Sequence, residues 1–461
     1  MKNAMCLTVA LMALVSLGEV EFSDVLIRQR WPWSTKIDVS YLAKGVSDYV
    51  GVKPVFKVGG VELSYLKTSL SGDCAISRDG FYHITWDPEA AGLEVTTLKQ
   101  LSVTLQAVEV PLYLIVDLTK KKGNDGQLTW VWEDDLRAGR WGEWVENPYD
   151  YIRSVSWTGV ATNDTYRTNS LVLRYVAPTT AESWTSQHAG VDTFVMGAPG
   201  DVTKGTARTE GKADVEAHIY EMSAPQDAQP QMNVRLRKGY WMGVFEVTQG
   251  QWDLLKPETN VSVWVSSVAK LRPVDLFKLE LVRGAQSSYP WSEAGHRVDA
   301  NSFFGRLCAR TGLTFDLPTE AQWEFAARAG ATGLRYCAPT YEGVSASSRC
   351  WWKRWGYKPS ESVDPSSSGT QVVGCYVPNA WGLYDVLGNV AEACLNSFVS
   401  PYNEAIDGGD DPVGSTDKAN GNVFRGGEYY NYIQYSTLPG RRWAGGDAGN
   451  YHYEGFRAAM Q

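Results

Sequence analysis

The feature that most constrains the fold is a strict alternation of apolar and polar residues in the first part of the chain. Ile37, Val39 and Tyr41 alternate with polar neighbours. The other segments with this period of two are 61–65, 82–86, 101–105 and 112–118. Such segments, separated by glycine-rich turns, are typical of antiparallel strands. The sequence therefore predicts a small immunoglobulin-like or fibronectin-like β-sandwich over residues 21–118. No catalytic constellation is visible in it, and a structural or spacer role is the favoured interpretation.

Residues 1–20 have the layout of a secretory signal peptide. Lys2 supplies a positive charge, an apolar run covers residues 6–17, and small residues follow. The run is shorter than the roughly 20 residues that a membrane span needs, and the alternative is a buried N-terminal helix or strand. No later stretch is long and apolar enough to span a bilayer. We therefore expect a mature protein that is secreted or held in the cell envelope, without a transmembrane segment.

Aromatic residues and glycine are abundant, with 19 Trp, 24 Tyr and 44 Gly. This composition favours irregular loops packed by aromatic side chains and argues against disorder. The formal net charge of -9 gives no electrostatic reason to bind nucleic acid. The 5 histidines leave little room for a multi-histidine metal site.

The cysteines suit disulfides or buried thiols. Seven are present, and Cys6 lies in the predicted signal peptide. An even number then remains, which permits disulfides in an exported protein. Cys337 and Cys350 flank a loop-like stretch and are a candidate pair, but the sequence leaves the connectivity open. No C-x-x-C motif occurs, so a zinc ribbon has no support.

A polar, turn-rich break opens residues 119–188, which we interpret as a connector that packs on a larger domain, 189–461. Three helices are predicted in that domain. Two begin with capping boxes, in which a threonine caps the helix and a glutamine follows three residues later. The other has one apolar face and a glycine stop. Their boundary signals are Thr248 with Gln251, Asp299 with Gly312, and Thr319 with Gln322 and Gly330.

Several segments of the second domain form an ordered series of motifs. They are Phe194-Val195-Met196-Gly197, 243–252, 317–328, 378–392, Phe424-Arg425-Gly426-Gly427 and Gly455-Phe456-Arg457. In this order they resemble the motifs of the formylglycine-generating enzyme, or sulfatase-modifying factor, family over residues 189–461. The resemblance implies a loop-rich fold related to C-type lectins. The whole chain is thus expected to be α+β, with an N-terminal immunoglobulin-like β-sandwich followed by this domain.

The segment 385–392 is the predicted metal site. The resemblance implies that Ca²⁺ is bound here by the side chains of Asp385 and Glu392 and by the backbone oxygens of Gly388 and Val390. Carboxylate and carbonyl oxygens are the ligands that a hard cation such as Ca²⁺ prefers. The alternative is that the two carboxylates cap or salt-bridge a loop.

Copper chemistry is not expected. The resemblance implies oxidation of a substrate cysteine by O₂ at Cu(I), held by two cysteines that follow the R-G-G motif. The matching positions are Asn431 and Ser436, and no cysteine follows Cys394. Neither an amide nor a hydroxyl replaces a thiolate as a ligand for Cu(I). An iron branch of the family uses a histidine triad, which the widely spaced histidines here do not support. His452 is interpreted as structural.

A ligand groove is predicted after the R-G-G motif, where the resemblance locates the substrate cleft. Aromatic faces combined with a few polar groups suit a peptide or glycan ligand. The alternative is that these aromatic residues pack the loops together. The residues of the predicted groove are Glu428, Tyr429, Asn431, Tyr435, Arg441, Arg442 and Trp443.

The favoured function is a secreted, non-oxidase binding or accessory module of this family that lacks the copper cysteine pair. An enzyme with altered oxidoreductase-type chemistry in the same cleft is the first alternative. The second is an envelope structural or interaction protein in which the β-sandwich is a spacer. No catalytic residue is assigned from the sequence, and calcium is the one cofactor expected.

Overall fold

The chain folds into two units, Met1–Gly142 and Glu143–Gln461. The predicted connector 119–188 is therefore divided between them. A computed structural model describes residues 20–30, 33–93, 100–146, 155–188, 190–199, 226–257, 262, 267–275, 278–284, 298–336, 369–375, 377–415, 421–429, 436–444 and 453–461. The predicted signal peptide, apart from its last residue, lies outside these ranges.

The described strands of the first unit pair antiparallel. They are β1 (Glu21–Gln29), β2 (Ile37–Lys44), β3 (Val50–Val58), β4 (Val61–Glu62), β5 (Leu70–Gly72), β6 (Ala75–Ile76), β7 (Gly80–Trp86), β8 (Leu101–Val108), β9 (Tyr113–Asp117) and β10 (Leu128–Val131). One sheet has the order β1-β2-β7-β5. In a second sheet β3 pairs with β4, β6 and β8. The pair of β9 and β10 does not belong to either of these two sheets. A 3-10 turn lies at Lys67–Ser69 and a short helix, α1, at Glu133–Arg137.

The core of this unit follows from the alternation of side chains across the pleat. Ile37, Val39 and Tyr41 of β2 are buried, whereas the residues between them are more exposed. Phe56 of β3 stacks on Trp86 of β7 with ring centroids 4.1 Å apart. The inner faces of the two sheets therefore meet through an aromatic pair.

The predicted strands around 37–41, 82–86, 101–105 and 112–118 are confirmed. The one at 61–65 is limited to Val61–Glu62, where both side chains are exposed and no buried face extends the strand. The immunoglobulin-like classification of this unit stays a prediction.

The described strands and helices of the second unit are short. Its described strands are β11 (Val145–Glu146), β12 (Val155–Ser156), β13 (Ser170–Val176), β14 (Phe194–Met196), β15 (Met232–Arg235), β16 (Tyr240–Gly243), β17 (Phe315–Asp316), β18 (Ala391–Ser397), β19 (Gly409–Asp410), β20 (Asn422–Arg425), β21 (Arg441–Ala444), β22 (Glu454–Phe456) and β23 (Ala459–Met460). Its described α-helices are α2 (Thr165–Thr168), α3 (Glu182–Gln187), α4 (Gln249–Leu255), α5 (Leu279–Arg283), α6 (Phe303–Thr311), α7 (Glu320–Arg328) and α8 (Glu404–Asp407). The 3-10 turns lie at Thr158–Thr162, Gln226–Ala228 and Ala269–Leu271.

One sheet of this unit positions the candidate site. Its strand order is β21-β20-β18-β22. The 385–392 motif leads into β18, the R-G-G motif begins at the end of β20, and the G-F-R motif lies in and just after β22. Other pairings run in the orders β13-β16-β23-β17 and β14-β15-β19. Three motifs that are far apart in sequence thus meet on neighbouring strands.

Both predicted capping boxes are confirmed. The Thr248 hydroxyl accepts from the Gln251 backbone N–H, and Thr319 and Gln322 make the same arrangement before α7. Because these caps satisfy backbone donors that a helix leaves unpaired, they fix where each helix begins. The α7 helix ends at Arg328, before the predicted Gly330.

The α6 helix begins later than predicted from Asp299. Its N-cap is Ser302, whose hydroxyl accepts from the Gly305 backbone N–H at 3.1 Å and donates to the Asp299 carbonyl. A serine in extended conformation satisfies the free helix donors at this point. The predicted stop at Gly312 is confirmed, with φ of 79°.

Aromatic residues pack the loops of this unit, as the composition predicts. Phe325 contacts Trp184, Phe194 and Trp381, with ring centroids 4.9 to 5.1 Å apart. A second cluster consists of Trp252, Phe303, Phe304 and Phe456. Within the described ranges, none of the helices is long and apolar enough to cross a lipid bilayer.

Candidate functional site

The 385–392 loop is tightly coiled before it enters β18. Asp385, Gly388 and Asn389 have φ of 55°, 93° and 58°. Asp and Asn tolerate this left-handed region better than most residues, and glycine adopts it freely. The Gly388 N–H donates to the Gly426 carbonyl at 2.9 Å, so the loop docks on the R-G-G motif.

Glu392 is buried and bound by two side chains. Its carboxylate accepts from Arg457 at 2.5 and 2.9 Å and from the Trp323 indole N–H at 2.7 Å. Arg457 also donates to the carbonyl oxygens of Gly243, Val244 and Tyr384, at 2.8 Å each. The structure therefore places the predicted calcium ligand Glu392 in an ion pair that joins the loop to the G-F-R motif.

A third carboxylate lies beside the two predicted ones. Glu246 accepts from the Val390 backbone N–H at 3.1 Å and from the Asn389 amide at 2.6 Å. Burial, followed by the charges of Asp385 and Glu392, raises the pKa of Glu246 well above its ordinary value. Glu246 was not among the site residues predicted from the sequence, although its position in the 243–252 motif was a usable signal.

Asp385 is buried at the start of the loop, where its carboxylate accepts from the Gly374 N–H at 2.6 Å. Burial raises the pKa of Asp385 to about 6. The carboxyl groups of Glu246, Asp385 and Glu392 thus interact electrostatically with the guanidinium of Arg457. The charge of Arg167 also reaches Asp385, but this arginine is itself paired with Asp164 at 2.5 Å.

The chemistry of this donor set fits a divalent cation. Its donors are hard oxygens, and its carboxylates exceed the guanidinium in charge. In the described ranges, no three side chains of His, Cys, Asp or Glu are placed to hold a metal ion by themselves. A cation would therefore need carbonyl oxygens, such as those predicted for Gly388 and Val390. The calcium site stays a prediction.

The R-G-G arginine belongs to a second buried charge network. Arg425 pairs with Glu320 at 3.3 Å and with Glu324, and Arg441 makes two hydrogen bonds of 2.8 Å to Glu320. Burial alone would raise the pKa of Glu324, but Arg328 and Arg425 outweigh it and hold that pKa below its ordinary value. This network fixes the R-G-G turn on α7.

The predicted groove residues divide into buried and accessible groups. Three of them are buried and therefore cannot contact a ligand at the surface: Glu428, Tyr429 and Arg441. Arg442 is partly exposed and pairs with Glu454 at 2.6 Å and with Glu428 at 3.7 Å. Trp443 is 56% exposed. Asn431 and Tyr435 lie outside the described residues.

Comparison with known proteins places these motifs in one family. A model of the sulfatase-modifying factor enzyme 1-like domain matches residues 179–461. The chain belongs to this family.

Individual relatives match shorter stretches of this family member. It is similar to the formylglycine-generating enzyme of Streptomyces coelicolor, with 36% identity over 121 residues, which are 26% of this chain and 37% of that enzyme. It is also similar to the serine/threonine-protein kinase pkn1 of Chlamydia pneumoniae, with 34% identity over 111 residues, 24% of this chain and 15% of the kinase. The matched segments thus span well under two thirds of these relatives. Among solved structures, PvdO from Pseudomonas aeruginosa has a TM-score of 0.42 and 21% identity, with 63% of this chain and 94% of that chain covered.

Ser436, at one predicted copper-cysteine position of this sulfatase-modifying factor family member, is buried. Its hydroxyl has no hydrogen-bond partner in the part of the chain that the structure describes. It packs against Gly427, where an added Cβ would lie 2.4 Å from the Ser436 Oγ. The R-G-G turn therefore closes directly over this position.

The described cysteines of this family member are free thiols: Cys74, Cys308, Cys375 and Cys394. Burial raises the pKa of Cys308 to about 11 and that of Cys394 well above its ordinary value, so both thiols are protonated at neutral pH. Cys337, Cys350 and His452 lie outside the described residues.

Proposed function

We propose that this chain is an exported, non-oxidase binding or accessory module of the sulfatase-modifying factor family. The observation that carries the proposal is the residue at the predicted copper position: Ser436 is a buried hydroxyl, and no cysteine follows Cys394 in the sequence. Export rests on the predicted signal peptide over residues 1–20.

The ligand surface is proposed around Arg442 and Trp443, which are the accessible members of the predicted groove. Arg442 lies over the rings of Phe424 and Tyr453, at 5.3 and 5.0 Å from their centroids. This holds its guanidinium in one orientation while Trp443 presents an aromatic face to solvent. Such a combination of a fixed polar group and an aromatic face suits a peptide or glycan ligand.

Calcium is proposed as a structural ion held by Asp385 and Glu392 and by the carbonyl oxygens of Gly388 and Val390. When bound, it would supply positive charge to a buried site rich in carboxylates. The fit of the donor set supports this assignment, together with the left-handed residues of the loop.

For the first unit we propose an immunoglobulin-like spacer. The order β1-β2-β7-β5 in one sheet and the β3–β8 pair in the other support it.

A peptide-oxidation assay tests the main proposal. The full chain is incubated with Cu(I), O₂ and a cysteine-containing peptide, with the Streptomyces coelicolor enzyme as positive control, and formylglycine is measured by mass spectrometry. We expect no formylglycine from this chain. Formylglycine at a rate near that of the control would overturn the proposal and establish the enzyme alternative.

Array binding tests the ligand surface. The full chain is applied to peptide and glycan arrays beside the Trp443→Ala variant, with Val195→Ala as a control at another exposed position. We expect binding that is lost in Trp443→Ala and kept in Val195→Ala. Equal binding by all three proteins would place the ligand elsewhere.

A further inference from the structure

Glu246 lies among the carboxylates of the calcium loop, although it is far from that loop in sequence. We propose that Glu246 is a positioning residue for the calcium ion of the 385–392 loop, an inference that rests on the calcium site proposed above. It would hold the loop backbone without being one of the predicted ligands.

The first argument is geometric. The two oxygens of the Glu246 carboxyl group accept hydrogen bonds from consecutive residues of the loop. One accepts from the Asn389 side-chain amide at 2.6 Å, and the other accepts from the Val390 backbone N–H at 3.1 Å. The opposite side of the same peptide group is also held, because the Asn389 carbonyl accepts from the Tyr429 N–H at 3.0 Å. A planar peptide fixed on both sides fixes the direction of the chain through Val390. Glu246 therefore sets the orientation of a segment that carries predicted carbonyl ligands.

A second observation is independent of the carboxylates. The Thr370 hydroxyl is fully buried and has no hydrogen-bond partner among the described residues. Thr370 precedes Gln371, whose backbone N–H donates to the Asn389 side chain at 2.8 Å and whose carbonyl accepts from it at 3.4 Å. A buried, unpaired oxygen thus lies one residue from the partner of the Glu246–Asn389 contact. Buried hydroxyls are normally satisfied, and a hydroxyl oxygen is also a hard donor of the kind that calcium prefers.

The test is calcium titration of the full chain by calorimetry, with Glu246→Gln and the matched control Asp407→Asn. Asp407 is also buried and also accepts a backbone N–H, from Asn403 at 2.8 Å. Loss of a residue that orients metal ligands typically weakens affinity by about 10- to 100-fold. We expect that loss in Glu246→Gln and wild-type affinity in Asp407→Asn. The melting temperature is measured with and without calcium, since a merely structural role would lower both values equally.

Two outcomes separate this inference from the calcium proposal itself. Calcium binding by the wild type with unchanged affinity in Glu246→Gln overturns the role of Glu246 alone. A wild type that does not bind calcium overturns both proposals. Should Glu246→Gln fail to fold, Asn389→Gly removes the same contact at a φ of 58° that glycine adopts freely. Wild-type affinity in Asn389→Gly would then count against the inference.

Discussion

The guanidinium of Arg457 and the carboxylate of Glu392 form a bidentate ion pair at 2.5 and 2.9 Å, with both side chains 1% exposed. The pair joins the residue after β22 to the second residue of β18. Three backbone carbonyls accept the remaining donors of Arg457. The guanidinium of Arg457 thus connects chain segments that are distant in sequence through hydrogen bonds. Its planar arrangement of five N–H donors can make these contacts at once, which an ammonium group cannot do in the same geometry.

Replacing Arg457 tests how much these contacts contribute to the free energy of unfolding. Arg457→Lys keeps the charge but loses the bidentate geometry, and the carbonyls of Gly243 and Val244 lose donors. Removing one partner of a buried ion pair typically costs about 3 to 5 kcal/mol because the other charge is left unpaired. Arg457→Lys keeps a positive charge, so we expect a loss of free energy of unfolding that is below this range but above that of the control, measured by urea unfolding followed by tryptophan fluorescence. Arg442→Lys, at a partly exposed pair, is the control and should lose less than about 1 kcal/mol. A larger loss in the control would contradict this account.

Local signals in the sequence predicted local structure well. The Thr248 and Thr319 capping boxes are confirmed because each depends only on residues within one helical turn. The start of α6 was misplaced at Asp299 because apolar periodicity does not identify a cap, whereas the Ser302 hydroxyl does. Strand 61–65 was overestimated because alternation alone does not guarantee a partner sheet that buries one face.

The candidate site was less predictable because its members come from distant segments. The motif resemblance assigned Asp385 and Glu392, but the approach of Glu246 depends on how β16 and its following loop pack against the 385–392 loop. Arg441 was predicted to line a groove, yet it is buried on Glu320. Charge and position in a motif do not distinguish a ligand-binding arginine from one that anchors a loop.

The ionised Glu324 carboxylate should contribute a part of the free energy of unfolding that depends on pH. Its pKa in the folded state lies below the value of about 4.3 for an unfolded glutamate. The stabilisation is therefore present above about pH 4.3 and is lost as pH falls through the folded value. The difference in unfolding free energy between wild type and Glu324→Gln should therefore become smaller as the pH is lowered from about 5 to about 3. The exposed Glu404→Gln is the control variant, and a constant difference for Glu324→Gln would contradict the prediction.

Gly427 should not tolerate a side chain. Its φ is +74°, and an added Cβ would lie 2.4 Å from the Ser436 Oγ and 2.8 Å from the Ser436 Cα. Gly409 has a similar φ of +78° with no atom within 4 Å of the added Cβ. Gly409→Ala should therefore show only the left-handed strain of about 1 to 2 kcal/mol. Gly427→Ala adds a clash with the backbone of Ser436, so we expect a lower melting temperature than for Gly409→Ala. Equal melting temperatures would show that the turn relaxes freely.

Introducing cysteines at positions 431 and 436 should be sufficient to give the protein a Cu(I) site. The resemblance assigns the copper pair to the positions of Asn431 and Ser436, and two thiolates are the ligands that Cu(I) favours. The double variant Asn431→Cys with Ser436→Cys should withdraw Cu(I) from a chromogenic chelator under reducing conditions, while the wild type leaves the chelator complex intact. Ser436→Cys alone supplies one thiolate and should compete far less, which makes it the matched control. Ser436 already occupies a closed, buried position under Gly427, so a thiol there is shielded from solvent as a Cu(I) ligand needs. A double variant that competes no better than the single one would mean that these positions do not correspond to the copper pair, and the argument for a non-oxidase would then lose its main support.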